Sequence, residues 1–154
     1  MSLYKIEGGT ALSGKIKVHG AKNAALPILA ATIINGRKSI IHNCPDLSDI
    51  RSIITILEML GCKVLRDKDK LIVDSSLFCD TNIPDSIMRQ TRSSSLFAGA
   101  LLARTKRAFI TGSGGCCIGK RPIDIHLKGF KQLGIDVSFT PDGILCRAHH
   151  ITPT

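Results

Sequence analysis

The stretch Asp46-Leu47-Ser48-Asp49-Ile50-Arg51-Ser52-Ile53-Ile54-Thr55-Ile56-Leu57-Glu58-Met59-Leu60-Gly61-Cys62-Lys63-Val64 decides how this chain folds. Ile50, Ile53, Leu57 and Leu60 recur at helical spacing and make one apolar stripe, the mark of a helix with one face in a core. The spacing predicts a helix over Asp46–Leu60, with Gly61 as its left-handed C-terminal cap. Two strands are then expected around the polar turn Asp67-Lys68-Asp69-Lys70.

The same grammar returns 73 residues later, where Leu133-Gly134 repeats Leu60-Gly61 and Leu102-Ala103 repeats Leu29-Ala30. The first copy reads as an apolar helix (Leu26 to Ile34), a strand (Ser39 to His42), the helix above and two strands. The second reads as a helix from about Asp85 to Arg104, a strand (Arg107 to Thr111), a Gly-rich loop and a helix (Pro122 to Leu133). Two strands around Pro141-Asp142-Gly143 complete it. Ile123, Leu127 and Phe130 form its core stripe. The repeat is longer than a solenoid period, so it reads as duplication of a helix-and-strand module in an α/β fold.

Composition narrows the function. The chain has 154 residues, 44% of them apolar and 21% charged, which suits one globular domain with a real core. No apolar run reaches the length of a membrane span, and Met1 to Glu7 is no signal peptide, so a soluble, cytoplasmic protein is expected. Without an export signal the six cysteines are expected as reduced thiols. No Cys-x-x-Cys pair or zinc-spaced histidine partner is present, and neither a metal nor a cofactor is expected. The net charge of +9 comes without Trp or a dense Lys/Arg block. That favours an anionic small substrate or an acidic partner over nucleic acid.

Three helix starts are suited to anions. Pro27 is tolerated only near a first turn, so the first helix is expected to begin about Asn23 with Asn as its cap. Lys22 and the free backbone amides then stand at a helix N-terminus, a ready anion site, with a solvated lysine beside an ordinary cap as the alternative. Arg89 and Arg92 share a helical face before Ser93-Ser94-Ser95, and together they suit a phosphate, although a solvated face explains such a pair too. The loop Gly112-Ser113-Gly114-Gly115-Cys116-Cys117-Ile118-Gly119-Lys120-Arg121-Pro122 joins thiols to cations before a helix that Pro122 opens. Cys116 or Cys117 there is a candidate activated thiol, with a buried structural cysteine as the alternative. Gly114-x-x-x-x-Gly119-Lys120 approaches a P-loop, but Arg121 and Pro122 follow where a metal-binding hydroxyl is required. The NTPase reading fails there.

Taken together, Gly20-Ala21-Lys22-Asn23-Ala24-Ala25-Leu26-Pro27, Arg92 in its Ser-rich helix, and the block from Gly114 through Cys116, Arg121-Pro122 and Asp124 to His126 carry a family resemblance. In order and spacing they resemble the UDP-N-acetylglucosamine 1-carboxyvinyltransferases, a branch of the enolpyruvyl transferase family, over essentially the whole chain. The resemblance implies an inside-out α/β barrel fold built of repeated βαβαββ units, of which about two of about six are present here. Residues 1–19 would be strands packed on the other domain. Residues 20–154 would be part of a first domain, in two repeats of about 20–83 and 84–154.

The implied reaction adds the 3-hydroxyl of UDP-N-acetylglucosamine to C2 of phosphoenolpyruvate, protonates C3 and releases phosphate, as the first committed step of peptidoglycan synthesis. Lys22 would hold the phosphoenolpyruvate phosphate and Asn23 the sugar. Arg92, Arg121, Pro122, Ile123, Asp124 and Ile125 would bind the UDP-sugar, and Cys116 would attack phosphoenolpyruvate or donate a proton. Family members are about three times as long. Their aspartate base and further arginines match nothing here, so little or no activity is expected of this chain alone. A non-catalytic UDP-sugar- or partner-binding fragment is the alternative. Self-association through exposed apolar surface is also expected.

Overall fold

Each half of the repeat folds as helix, strand, helix and hairpin. The structure, a computed structural model, describes residues 3–79, 94–111 and 123–149. The first unit comprises α1 (Lys22–Ala31), β1 (Lys38–Ile41), α2 (Ser48–Met59), β2 (Lys63–Asp67) and β3 (Lys70–Asp74). The second comprises α3 (Ser94–Thr105), β4 (Arg107–Thr111), α4 (Asp124–Gln132), β5 (Ile135–Thr140) and β6 (Gly143–Ala148). Both sheets are antiparallel and three-stranded, ordered β1-β3-β2 and β4-β6-β5, so the last strand of each unit lies in the middle. One backbone bond recurs in both: Ser75 N–H donates to Arg37 C=O at 3.2 Å, and Ala148 N–H to Lys106 C=O at 2.8 Å. It ties the end of each central strand to the entry of the unit's first strand.

Periodicity explains the burial. Ile50, Ile53, Leu57 and Leu60 are fully buried, as the helical stripe requires, and alternation on β3 sends Leu71 and Val73 into the same core. Leu127 is buried in the second unit, with Ile123 and Phe130 half-buried against the core. A single cluster spans both units: α1 packs on α2 and on α3, which contributes Phe97, Leu101 and Leu102. The Arg104 guanidinium at the end of α3 lies over Gly36 of the first unit.

Helix ends follow the glycines. Gly61 has φ 83° and Gly134 φ 77°, both left-handed. At Gly61 the cap is a Schellman motif: Gly61 N–H donates to Glu58 C=O at 3.0 Å, and Cys62 N–H to Leu57 C=O at 2.9 Å.

Several boundaries differ from expectation. The first strand lies one residue earlier, at Lys38–Ile41. Asp46 stands outside α2, whose cap is Leu47, because its carboxylate instead accepts a paired bond from Arg51. Helix α1 is capped by Ala21 with no side-chain bond, so Asn23 is its second residue and not its cap. Pro27 therefore falls in the second turn, where its missing amide leaves the Asn23 carbonyl without its usual helical donor. Helix α4 begins at Asp124 with Ile123 as cap, two residues after the expected start at Pro122.

Residues 3–21 form no helix or strand, and Leu3, Tyr4, Ile6, Leu12, Ile16 and Val18 are exposed. A strand needs a partner for its backbone and a surface for its apolar face, and the described residues offer this segment neither. The boundary expected between residues 83 and 84 lies outside the described residues.

Candidate functional site

Gly20 sets the position of the first candidate cluster. A Cβ on Gly20 would stand 2.0 Å from the Asn43 carbonyl oxygen, so only glycine lets the chain pass this close to the β1–α2 connection. That connection is held from the hairpin side. Cys44 N–H donates to Asp69 C=O at 2.7 Å, and Arg66 donates to the carbonyls of Cys44 at 3.1 Å and Pro45 at 3.4 Å. Arg51 binds both oxygens of Asp46 at 2.9 and 2.8 Å, a hydrogen-bonded pair that holds the Asp46 carboxyl below its usual range.

From Gly20 the chain runs extended through Ala21 and turns helical at Lys22. The amides of Ala24 and Ala25 both donate to Ala21 C=O at 3.2 and 3.0 Å. The amides of Lys22 and Asn23 have no protein acceptor among the described residues and face the open end of α1. An ammonium, two amides and the positive end of a helix dipole are groups that can attract an anion. The Lys22 Nζ is 2.5 Å from Asp49 Oδ2, in the first turn of α2. Both side chains are about half exposed, at 44% and 50%. An ion pair that open to water is worth about 0–1 kcal/mol, so an incoming phosphate can compete with Asp49.

Asp49 was not among the expected site residues. Its sign in the sequence is an acid in the first turn of a helix, where the dipole favours it. Nothing local names Lys22 as its partner.

The second cluster stands on the other unit. Ile123 caps α4 and is half-buried, Asp124 is its first residue, and Ile125 is 79% exposed. The acid in the first turn suits the positive end of the helix dipole. Arg92, Cys116, Cys117, Arg121 and Pro122 lie outside the described residues, as does Arg89.

The described cysteines, Cys44, Cys62, Cys79 and Cys146, are free thiols. Desolvation by burial raises the thiol of Cys146 and pushes that of Cys62 up to about 11. Burial thus disfavours the thiolate at both, so neither has the setting of an activated cysteine. Among the described residues no group of three or more His, Cys, Asp or Glu is placed to hold a metal, and no helix is long and apolar enough to cross a membrane.

Comparison with known proteins bears on fold and family. The chain is 52% identical over 147 residues to UDP-N-acetylglucosamine 1-carboxyvinyltransferase 2 of Caldanaerobacter subterraneus subsp. tengcongensis, covering 96% of this chain and 35% of that protein. It is 46% identical over 135 residues to the UDP-N-acetylglucosamine 1-carboxyvinyltransferase of Desulfatibacillum aliphaticivorans, covering 88% and 32%. The chain thus spans about a third of the length of these curated relatives.

Among solved structures, the enolpyruvyl transferase NikO from Streptomyces tendae matches with a TM-score of 0.79 at 23% identity, over 95% of this chain and 32% of that one. EPSP synthase from Acinetobacter baumannii matches with a TM-score of 0.57 at 20% identity, over 83% and 32%. These likenesses establish a partial enolpyruvyl transferase fold. Residues 6–149, nearly the whole chain, match the family profile described as EPSP synthase (3-phosphoshikimate 1-carboxyvinyltransferase), and the chain belongs to that family.

Proposed function

We propose that this chain forms part of an enzyme that transfers the enolpyruvyl group of phosphoenolpyruvate to the 3-hydroxyl of UDP-N-acetylglucosamine, in the cytoplasm and at the entry to peptidoglycan synthesis. The observation that carries this reading is the 52% identity to a UDP-N-acetylglucosamine 1-carboxyvinyltransferase along 96% of the chain. The open tip of α1 supports it, because Lys22 and the amides of Lys22 and Asn23 suit a phosphate.

Both substrates are anions. Cations at helix starts offset their repulsion and can stabilise charge on the tetrahedral adduct. In this reading Lys22 takes the phosphoenolpyruvate phosphate and Asn23 the sugar. Arg92, Arg121, Pro122, Ile123, Asp124 and Ile125 hold the UDP-sugar. Cys116 acts on phosphoenolpyruvate as nucleophile or acid. No residue of these 154 matches the family's aspartate base, so the polypeptide alone is expected to bind and not to turn over.

Calorimetry of the 154-residue chain with UDP-N-acetylglucosamine tests the reading, with phosphate release from both substrates as a second readout. Binding without release is the expected result. An absence of heat at millimolar ligand would argue against a preserved sugar site, and full turnover would overturn the expected inactivity. The exposed apolar side chains of residues 3–18 also support self-association, which sedimentation over a range of concentrations would detect as a rising mean mass.

A further inference from the structure

Cys62 and Cys79 are distant in sequence, but the fold lays Cys79 against Gly61, the residue before Cys62, and nothing in enolpyruvyl transfer uses either thiol. Cys79 follows β3 and donates its N–H to Leu60 C=O at 3.2 Å, which lays its backbone along the C-terminal cap of α2. Its sulfur then rests on Gly61: a Cβ there would stand 2.7 Å from Cys79 Sγ. Gly61 is therefore the open floor on which this thiol sits, and the next residue is Cys62. The two thiols differ in setting, since Cys62 is 4% exposed while Cys79 is open to solvent. They also feel one another, because the charge of Cys79 is among the influences that raise the Cys62 thiol, after burial and Asp74.

We propose that Cys79 and Cys62 form an oxidisable pair, in which peroxide oxidises the exposed Cys79 and the buried Cys62 resolves it as a disulfide. In the first step the Cys79 sulfur attacks hydrogen peroxide, the O–O bond breaks, and Cys79 sulfenic acid and one water result. In the second, the Cys62 sulfur attacks the Cys79 sulfur, the S–O bond breaks, and the hydroxyl leaves as water with the Cys62 proton. Peroxide is reduced to two waters and both thiols are oxidised to one disulfide. Because Cys62 is shielded and held protonated, resolution is the slow step, and the sulfenic acid has a measurable lifetime. The closed bond would staple the end of β3 to the cap of α2 around the β2–β3 hairpin.

The test treats the full 154-residue chain with hydrogen peroxide, with or without dimedone to trap sulfenic acid. Mass spectrometry of a non-reducing digest then identifies the products. A Cys62–Cys79 linked peptide that dithiothreitol removes is expected, with dimedone on Cys79 rising severalfold in Cys62→Ala. In Cys79→Ser, an exposed change that leaves the core alone, Cys62 is expected to stay reduced. Linkage of Cys79 to a different cysteine would overturn the proposal. So would equal dimedone labelling of Cys79 with and without Cys62.

Discussion

The Lys22 ammonium lies 2.5 Å from the Asp49 carboxylate, so the cation proposed to receive a phosphate already has a partner from the next helix. Because the pair is half exposed, it steadies the lysine while remaining easy to break. Asp49→Asn should therefore tighten phosphoenolpyruvate binding by up to about five-fold, the equivalent of a surface ion pair. Lys22→Ala should weaken it by about ten-fold or more through loss of a charge-assisted bond. Calorimetric titration of both variants checks this. Unchanged affinity in both would remove the tip of α1 from the site.

Glycines divide into two kinds. Gly61 has φ 83°, and a Cβ there would meet Leu77 O and Cys79 Sγ at 2.7 Å. Gly61→Ala should cost about 2–4 kcal/mol, from the left-handed backbone and the collision together. Gly129 sits within α4 with nothing within 4 Å of a Cβ, so Gly129→Ala should stabilise by about 0.5–1 kcal/mol. Urea unfolding midpoints of the two variants should move in opposite directions.

Stability should fall on the alkaline side through Cys62. Its folded thiol titrates near 11 against an ordinary value of 9.0, chiefly because burial disfavours the thiolate. A raised folded value means that the contribution is complete below pH 9 and is lost as pH rises through 11. Cys62→Ala should flatten the decline of the unfolding midpoint across that window.

On the acid side the signs reverse. Hydrogen bonds from Arg51 to Asp46, and from Ser76 to Asp74, hold both carboxyls below their ordinary range. Their contribution is present above the ordinary carboxylate value of 3.8 and disappears as pH falls through the lowered one. Arg51→Ala should raise the pH midpoint of acid unfolding, read by circular dichroism.

Cys116 should alkylate faster than Cys44, Cys62, Cys79 or Cys146 if it has the activated setting proposed for it. Cys79 is the demanding control, being exposed where Cys44, Cys62 and Cys146 are buried. Iodoacetamide labelling at neutral pH, followed by peptide mapping, checks the order. A Cys116 rate no greater than that of Cys79 would count against activation.

Sequence alone determined the repeated module. The Ile50-Ile53-Leu57-Leu60 stripe, the strand Arg107–Thr111 and the left-handed Gly61 and Gly134 were all legible, because helical period, strand alternation and glycine's access to positive φ are local properties. The block from Gly20 to Pro27 was legible as a helix start for the same reason, although its cap was not. Asn23 is the better capping residue by propensity, yet the contact of Gly20 with Asn43 precedes a helix that starts at Lys22. Tertiary structure alone decided the partners. Asp49 reaches Lys22 from 27 residues away, Arg66 reaches the carbonyls of Cys44 and Pro45 across the unit, and Cys79 comes to rest on Gly61. These contacts depend on how α1 crosses α2 and how the hairpin folds back, and packing of buried faces sets that geometry where no local period encodes it.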